Sequence, residues 1–234
     1  MINHHFQDVG VIAGEPKPIV ETLAGSGKCG DIKTIAPPQG GDLGLAPQSL
    51  DALFSILDLH CVNDVPGYLA QCAKALRPDG LFLCCFFAGD TLIELRNAWL
   101  EAEAALGGVS PRVAPMIGLR EMGGLLQRAG LAMPVADSDR LTLRYANVLA
   151  LLREIKSIGY ANPLAERSKH FSSQRIIEAL MQSYHVEADG RINATLEMFW
   201  ALAWKPHDSQ PKPKAPGSAT VRFEDVLKKR DNGT

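Results

Sequence analysis

A strand, a helix and a second strand follow one another closely in the middle of the chain, and this order constrains the fold most. The first run of strand length, residues 49–57, is mostly apolar, and the second, residues 81–87, is apolar throughout. Such runs are typical of parallel strands that are covered on both faces. Between them, apolar residues recur at helical spacing, and the sequence RPDG ends the helix with a proline and a glycine. The segment therefore predicts a right-handed βαβ crossover in a parallel sheet.

Polar residues follow each of these two strands. Asp58 and His60 come after the first strand, and Gly89, Asp90 and Thr91 come after the second. In open α/β sheets, ligands bind beyond the carboxyl ends of the strands, where such loops meet. The sequence therefore predicts a site at this edge of the sheet.

Hydrophobic spacing predicts further elements on both sides of this unit. We expect strands over residues 6–13, 31–36 and 192–204, and a strand with a turn over residues 135–145. We expect helices after Pro16 and over residues 91–106, 119–129, 148–158 and 173–184. The last strand is rich in aromatic residues and is predicted to run antiparallel to the others. The whole pattern predicts an α/β fold with a mainly parallel sheet and helices on both faces.

Length and composition predict one globular domain, residues 1–205, followed by an extended or disordered tail. The chain has 234 residues, of which 46% are hydrophobic, so it can bury one sizeable core. From residue 206 onward the composition shifts to proline, lysine, serine and glycine, which are typical of a tail over residues 206–234.

Charge and cysteine content narrow the classes of partner and compartment. The formal net charge is −2, from 24 basic and 26 acidic side chains, so the chain lacks the excess of positive charge that is typical of proteins that bind nucleic acid. No apolar run approaches the roughly 20 residues that span a bilayer. The five cysteines are an odd number without metal-ligand spacing, which indicates a reducing compartment. We expect a cytoplasmic protein, alone or peripheral to the inner membrane through a partner, that binds a protein or a small molecule.

An ordered set of segments resembles a known family. The string ALRPDGLFL after an amphipathic helix is similar to the region around the fifth strand of class I S-adenosylmethionine-dependent methyltransferases. More narrowly, DLHCVNDVPGYLAQCAKALRPDGLFL, GGVSPRVAP, LLQRAG and HDSQPKPKAPGSATVRF together resemble the methyltransferase-like assembly factors of respiratory complex I and their bacterial relatives. The biotin-synthesis methyltransferase that acts on malonyl-acyl carrier protein is a more distant similarity. The resemblance covers about residues 49–223.

The resemblance implies a Rossmann-like fold, with the seven-stranded sheet of the family or a trimmed version of it. It implies S-adenosylmethionine as the cofactor and a protein partner, such as respiratory complex I, whose assembly or modification the protein serves. It also leads us to expect helices before the first strand, whereas the chain starts almost at that strand.

The resemblance also indicates which residues would bind the cofactor. In DVGVIAGEP, Gly10 and Gly14 match the first and last glycines of the family pattern DxGxGxG, but Ile12 replaces the middle glycine. A β-branched side chain there would crowd the closest approach of the backbone. No acidic residue ends the second predicted strand, and Gln39 and Asp42 are the nearest candidates for the adenine edge. Losing the ribose carboxylate removes hydrogen bonds worth roughly 1.5–3 kcal/mol, so S-adenosylmethionine binding is weakened.

Two residues are candidates for catalysis. A neutral His60 could accept a proton from a substrate, and Asp90 could orient or deprotonate a nucleophile. The alternative for His60 is a hydrogen-bonded histidine in a strand-end turn, and the alternative for Asp90 is a cap at the start of the next helix. The simplest interpretation of Asp64 is that it is the N-cap of the crossover helix, with Pro66 in the first turn.

Three functions remain open at this stage. The first is a methyltransferase, and the second is a non-catalytic binding platform, or pseudoenzyme, that keeps the fold without binding S-adenosylmethionine. The third is a metal-dependent protein hydroxylase, to which Asp58, His60 and Asp90 could contribute iron ligands, although their spacing matches no recognised motif. Arg112, in the GGVSPRVAP loop, could clamp a carboxylate, or it could lie in an exposed turn.

Overall fold

A computed structural model describes residues 4–37, 41–108, 110, 112–114, 116–157, 162 and 173–211 of the chain. Six strands are present: β1 Phe6–Ala13, β2 Cys29–Ile35, β3 Leu50–Ile56, β4 Leu76–Phe87, β5 Ala132–Tyr145 and β6 Ile192–Trp204. Six α-helices accompany them: α1 Lys17–Gly25, α2 Val65–Ala75, α3 Ile93–Ala104, α4 Leu119–Arg128, α5 Val148–Ser157 and α6 Gln174–Ser183. A short 3₁₀ turn, Leu59–Cys61, follows β3.

The strands form one sheet in the order β2-β1-β3-β4-β6-β5. The first four strands along the chain run parallel to one another, and β6 runs antiparallel to both of its neighbours, β4 and β5. The predicted α/β fold, with a mainly parallel sheet and an antiparallel last strand, is confirmed. The described residues contribute six strands to this sheet.

Helices cover both faces of the sheet, as predicted. The largest core cluster lies under α2 and α4 and contains the fully buried Phe82, Phe86 and Phe199. The rings of Phe86 and Phe199 meet edge to face, with centroids 5.9 Å apart, which is a favoured aromatic geometry. On the other face, Leu23 of α1 packs against a smaller cluster that includes Val9. A third cluster joins α3, α5 and α6 to the start of β6.

The crossover helix begins at Asp64, as predicted. The Asp64 carboxylate accepts a hydrogen bond from the backbone N–H of Gly67 at 2.9 Å, and Pro66 lies in the first turn. Proline suits this position because the first N–H groups of a helix have no intrahelical partner. The local sequence therefore explains Asp64 as a structural residue.

The predicted turn before β4 is wrong. We expected residues 77–80 to connect the helix to the strand, whereas α2 ends at Ala75 and β4 begins at Leu76. The register against β3 shifts within this segment, and Asp79 has a φ of 66°. The proline and glycine therefore lie in an irregular stretch inside β4, between the pairs Leu50–Leu76 and Ala52–Leu81, and not in a connection before the strand.

An ion-pair cluster fixes this stretch to two other strands. The Arg77 guanidinium lies 2.8 Å from a carboxylate oxygen of Asp8 on β1 and 2.7 Å from one of Asp51 on β3. The other carboxylate oxygen of Asp51 accepts the backbone N–H groups of Gln7 and Asp8. Partial burial raises the pKa of Asp51, but these hydrogen bonds and the arginine outweigh it and leave the pKa lowered. The cluster therefore joins β1, β3 and β4 at their amino-terminal ends.

The prediction of a turn within residues 135–145 is also wrong. β5 runs unbroken over 14 residues and pairs with β6, with one irregularity between Ala132 and Val135. The polar run from Asp137 to Asp139 resembles a turn in sequence. It lies instead on an edge strand, where polar side chains reach solvent.

The predicted tail falls mostly outside the described residues, which end at Pro211. Just beyond residue 205, the Gln210 side chain donates to the Asp79 carboxylate and to the Lys205 carbonyl, both at 2.8 Å. The domain boundary at residue 205 stays a prediction. None of the helices that the structure describes is both long enough and apolar enough to cross a membrane.

Candidate functional site

His60 lies at the carboxyl edge of the sheet, in the 3₁₀ turn directly after β3. Its ring packs against Phe87 at the end of β4, with centroids 5.0 Å apart. Burial lowers the pKa of His60 to about 4. The imidazole is therefore neutral at neutral pH, which is the protonation state that a general base requires.

A cavity of about 450 Å³ opens beside His60. This volume lies in the range of roughly 300–1,000 Å³ that small-molecule sites occupy. The walls come from the ends of β4, β5 and β6 and from α3 and α5, and most of the side chains are apolar: Phe87, Leu92, Leu95, Trp99, Val113, Met116, Leu143, Leu151, Leu152 and Ile155. A second cavity, of about 160 Å³, also borders His60.

Arg112 lines the larger cavity and pairs with a buried glutamate. Its Nε lies 2.6 Å from Glu103, and its guanidinium stacks over the Trp99 ring, 4.8 Å from the centroid. Ser110 donates a hydroxyl hydrogen bond to the same carboxylate at 2.7 Å. Partial burial raises the pKa of Glu103, but these hydrogen bonds outweigh it and leave the pKa lowered. Of the two alternatives for Arg112, the structure therefore supports a place in the cavity wall rather than an exposed turn.

Two threonines of the cavity wall hold α3 against β6. The Thr91 hydroxyl lies 2.8 Å from the Ala88 carbonyl, and it accepts the backbone N–H of Glu197 at 2.9 Å. The Thr195 hydroxyl donates to Glu94 at 2.6 Å, and its backbone N–H donates to the same carboxylate at 2.9 Å. Both hydroxyls are thus engaged within the protein.

A buried polar network supports the turn that carries His60. The Tyr68 hydroxyl lies 2.9 Å from the Asp58 carboxylate and 2.9 Å from the Ser55 hydroxyl. Asp58 is only 4% exposed, and burial raises its pKa even though the hydrogen bond from Tyr68 lowers it. Sequence reasoning placed Tyr68 in the apolar face of the helix and missed this role. The available signal was that a buried tyrosine hydroxyl usually needs a hydrogen-bond partner.

Asp90 lies in the turn before α3 and lines neither of the two cavities beside His60. Its carboxylate is about half exposed and pairs with Arg140 at 3.1 Å. Its backbone N–H donates to the Glu197 carboxylate at 2.8 Å. The structure therefore does not bring Asp90 and His60 to the same cavity wall, and a catalytic role for Asp90 remains a prediction.

The predicted cofactor residues lie in different settings. Gly10 is inside β1, where an added Cβ would lie 2.8–2.9 Å from side-chain atoms of Leu50, Leu53 and Ile35. Protein side chains therefore already fill the space into which a side chain at Gly10 would point, and a role of Gly10 in cofactor binding stays a prediction. Gly14 follows β1 at the carboxyl edge, and an added Cβ there would meet no atom within 4 Å.

Of the two candidates for the adenine edge, Asp42 is exposed. Its carboxylate accepts the backbone N–H of Gly44 at 3.0 Å. Gln39 lies outside the described residues. Binding of S-adenosylmethionine by Gly10, Gly14, Gln39 and Asp42 thus stays a prediction.

The described part of the chain contains no cluster of three or more histidine, cysteine, aspartate or glutamate side chains with a geometry suited to a metal ion. Asp58 and Asp90 instead have partners of their own, Tyr68 and Arg140.

Comparison with known sequences gives matches of two kinds. Residues 27–84 match the family described as a methyltransferase domain. The protein named arginine-hydroxylase NDUFAF5, mitochondrial, is 34% identical over 183 residues in human, covering 77% of this chain and 53% of that protein. The Dictyostelium discoideum protein of the same name is 34% identical over 187 residues, which cover 78% of this chain and 43% of that protein. Malonyl-[acyl-carrier protein] O-methyltransferase of Xylella fastidiosa is 36% identical over 179 residues, which cover 76% of this chain and 56% of that protein. The chain spans about half the length of these curated relatives.

Solved structures with little sequence identity share the fold. A Bacillus halodurans protein whose crystal structure is described as that of a methyltransferase has a TM-score of 0.57 at 9% identity, covering 88% of this chain and 94% of that one. A second structure is that of phosphoethanolamine N-methyltransferase 2 of Haemonchus contortus in complex with S-adenosylhomocysteine. It has a TM-score of 0.51 at 13% identity, and the match covers 88% of this chain and 50% of that one. The domain match and the related sequences show that this chain is similar to methyltransferase-like proteins, and its fold is the one that class I methyltransferases share.

Proposed function

We propose that the protein acts in the assembly or modification of a protein partner, such as respiratory complex I, and that it binds an acceptor group of that partner in the cavity beside His60. The observation that carries this proposal is the cavity itself, which lies at the carboxyl edge of the sheet with a neutral imidazole in its wall. Ligands of open α/β sheets bind at that edge. The family supports S-adenosylmethionine as the cofactor of the reaction.

The sequence relatives support an acceptor that a protein carries. One relative is named for a malonyl group on acyl carrier protein, and the other is named for arginine. Methyl transfer from a sulfonium depends mainly on positioning, so a site needs few dedicated catalytic side chains. In this proposal His60 orients the acceptor or takes its proton. We expect the protein to work in the cytoplasm or beside the inner membrane through its partner.

Calorimetric titration with S-adenosylmethionine and S-adenosylhomocysteine tests the cofactor. We expect stoichiometric binding that Gly14→Val weakens at least tenfold, because the new side chain enters the open space after β1. Gly25→Val is the matched control, since Gly25 also has open space but lies at the other end of α1. Equal affinity of the two variants for S-adenosylmethionine would show that Gly14 is not part of the cofactor site.

Cells that lack the gene test the partner. We expect less assembled complex I on native gels, with recovery when the wild-type gene returns and no recovery with a folded His60→Ala variant. A normal amount of assembled complex I without the gene would contradict the assignment of this partner.

A non-catalytic binding platform is the second candidate, and the packing around Gly10 favours it. Leu50, Leu53 and Ile35 fill the space where the family pattern would bring a cofactor close to the backbone. This candidate keeps the acceptor cavity and lacks cofactor binding. No detectable heat with S-adenosylmethionine, together with retained complex I assembly, supports the platform, whereas tight stoichiometric binding excludes it.

Metal-dependent hydroxylation is the third candidate, and the name of the NDUFAF5 relatives favours it. It predicts that the purified protein retains iron and that His60→Ala releases it. Elemental analysis of the wild type and of this variant measures the iron content. Metal-free protein with full partner activity would eliminate the candidate.

A further inference from the structure

A row of apolar side chains is partly exposed on the sheet face opposite the largest core cluster. Every second residue of β6 points to this face, whereas the alternate residues Phe199, Ala201 and Ala203 lie in the core under α2 and α4. We call the row the apolar strip, and it consists of Trp204, Leu202, Trp200 and Met198 of β6, Leu83 of β4 and Val135 of β5. Trp200 is 46% exposed and Val135 is 58% exposed. Large apolar side chains that are grouped in this way on a surface are typical of a docking site.

After β6, the chain stays at the end of the strip that Trp204 occupies. The backbone of Lys205 pairs with that of β4, and the Gln210 side chain donates to the Lys205 carbonyl at 2.8 Å. The described residues end directly afterwards, at Pro211. Residues 212–234 therefore continue from a point beside the strip.

The sequence beyond Pro211 is long enough to reach every part of the strip. Val221 is ten residues further along the chain and begins the run VRFEDVL, residues 221–227. Ten extended residues span up to about 33 Å, whereas the four residue steps from Trp204 to Trp200 span about 14 Å. Distance therefore does not prevent the run from lying over Trp200.

The run and the strip also match in chemistry. Residues 212–234 contain six lysine and arginine residues against three aspartate and glutamate residues. On the strip face, Asp137 pairs with Trp200 and Asp139 pairs with Met198, so two exposed carboxylates border the apolar side chains. Opposite charges beside two apolar surfaces orient their association. Four of the seven residues in the run are apolar: Val221, Phe223, Val226 and Leu227.

We propose that residues 221–227 bind to the apolar strip of their own chain. The apolar side chains of the run cover Trp200 and Val135, and its basic neighbours lie beside Asp137 and Asp139. Burial of the exposed indole and of the apolar side chains around it stabilises this contact, because it removes their surface from water.

Tethering favours this occupant over a second copy of the chain or a partner protein. A segment that is joined to its own binding surface by a short connection has an effective concentration that is roughly millimolar. The inference does not depend on methyl transfer, since no residue of the strip lines either cavity beside His60.

Hydroxyl-radical footprinting of the full chain tests the contact at Trp200. We expect the double variant Val221→Ala, Phe223→Ala to raise the oxidation rate of Trp200 at least threefold, because it removes side chains that cover the indole. Mass spectrometry of the Trp200 peptide measures the rate. An equal rate in the wild type and in this variant would overturn the proposal.

The matched control is the double variant Ser218→Ala, Thr220→Ala, which changes two polar residues just before the run. It should leave the oxidation rate of Trp200 unchanged. Trp99 is the internal reference in every sample, because it is only 7% exposed and belongs to the cluster of α3, α5 and α6.

Carbodiimide cross-linking of the wild-type protein identifies the occupant and needs no variant. This reagent joins a carboxylate to a lysine amine that contacts it, so we expect Asp137 or Asp139 to be joined to Lys228 or Lys229. A mixture of isotope-labelled and unlabelled protein separates links within a chain from links between chains. Links within one chain support the proposal.

Links that join labelled to unlabelled peptides would assign the strip to a second copy and contradict the proposal. The absence of any link from Asp137 or Asp139 to residues 212–234 would contradict it as well. Neither experiment uses S-adenosylmethionine or the cavity. Their failure therefore leaves the proposed function unaffected, and failure of cofactor binding leaves the docking of residues 221–227 unaffected.

Discussion

The Tyr68 hydroxyl contacts two buried polar groups that precede it by 10 and 13 residues in the sequence. It lies 2.9 Å from Asp58 and 2.9 Å from Ser55, and Asp58 immediately precedes the turn that contains His60. In the sequence, Tyr68 occupies an apolar position of the crossover helix and looks like a core residue. The folded chain gives the hydroxyl a positioning role, since it satisfies a buried carboxylate beside the candidate site.

Tyr68→Phe should lower the free energy of unfolding by about 1–3 kcal/mol, because it removes a donor from a buried carboxyl group. Urea unfolding at neutral pH measures the change. Tyr145→Phe is the control, since Tyr145 bonds to the exposed Glu154 and should change stability much less. An equal decrease in the free energy of unfolding in the two variants would show that the hydrogen bond of Tyr68 to Asp58 contributes no more stability than an exposed one.

At the scale of elements, the glycine inside β1 and the glycine directly after it lie in opposite environments. Gly10 lies in the packed middle of the strand, and Gly14 lies in open space after its end. The family pattern treats both as loop glycines near a cofactor. The difference arises because β1 continues through Ala13, so Gly10 faces the side chains of the neighbouring strands.

Gly10→Ala should destabilise the protein by about 1–3 kcal/mol, because a methyl group there overpacks the core against Leu50, Leu53 and Ile35. Gly14→Ala should have little effect, since no atom lies within 4 Å of the added carbon. Thermal and urea unfolding of both variants measure the difference. A stable Gly10→Ala protein would mean that the neighbouring side chains move aside freely.

At the scale of the whole molecule, the candidate site is assembled from distant parts of the chain. His60 follows β3, Arg112 lies in the loop between α3 and α4, and Leu143 and Leu151 belong to β5 and α5. Burial of His60 in this assembly lowers its pKa from 6.5 to about 4. Protonation of His60 is therefore linked to global folding.

The free energy of unfolding should fall as the pH decreases from about 6.5 to about 4. In this window the unfolded chain binds a proton at His60 and the folded chain does not, so acid favours unfolding. His60→Gln should flatten the dependence within the window. His185→Gln, at a side chain that is 82% exposed, is the control. Urea midpoints at several pH values test this, and an unchanged slope in His60→Gln would contradict the linkage.

The regular parts of the fold could be predicted from hydrophobic spacing. The apolar runs predicted β1, β3 and β6 to within one residue, and the helical spacing predicted α4 and α6 equally well. Prediction of the secondary structure failed where the same local residue pattern is compatible with two backbone structures. The proline and glycine of RPDG lie in an irregular stretch of β4 instead of in a connection before it. The polar residues of β5 lie on an edge strand instead of at a break.

The sequence by itself determined the α/β class, the crossover, the Asp64 cap and the edge at which His60 lies, because short-range periodicity and capping chemistry specify them. Only the tertiary structure decided what surrounds each polar residue. It filled the space beside Gly10, paired Arg112 with Glu103 and separated Asp90 from the His60 cavity. These outcomes depend on contacts between different elements of the fold, and no local pattern encodes such contacts.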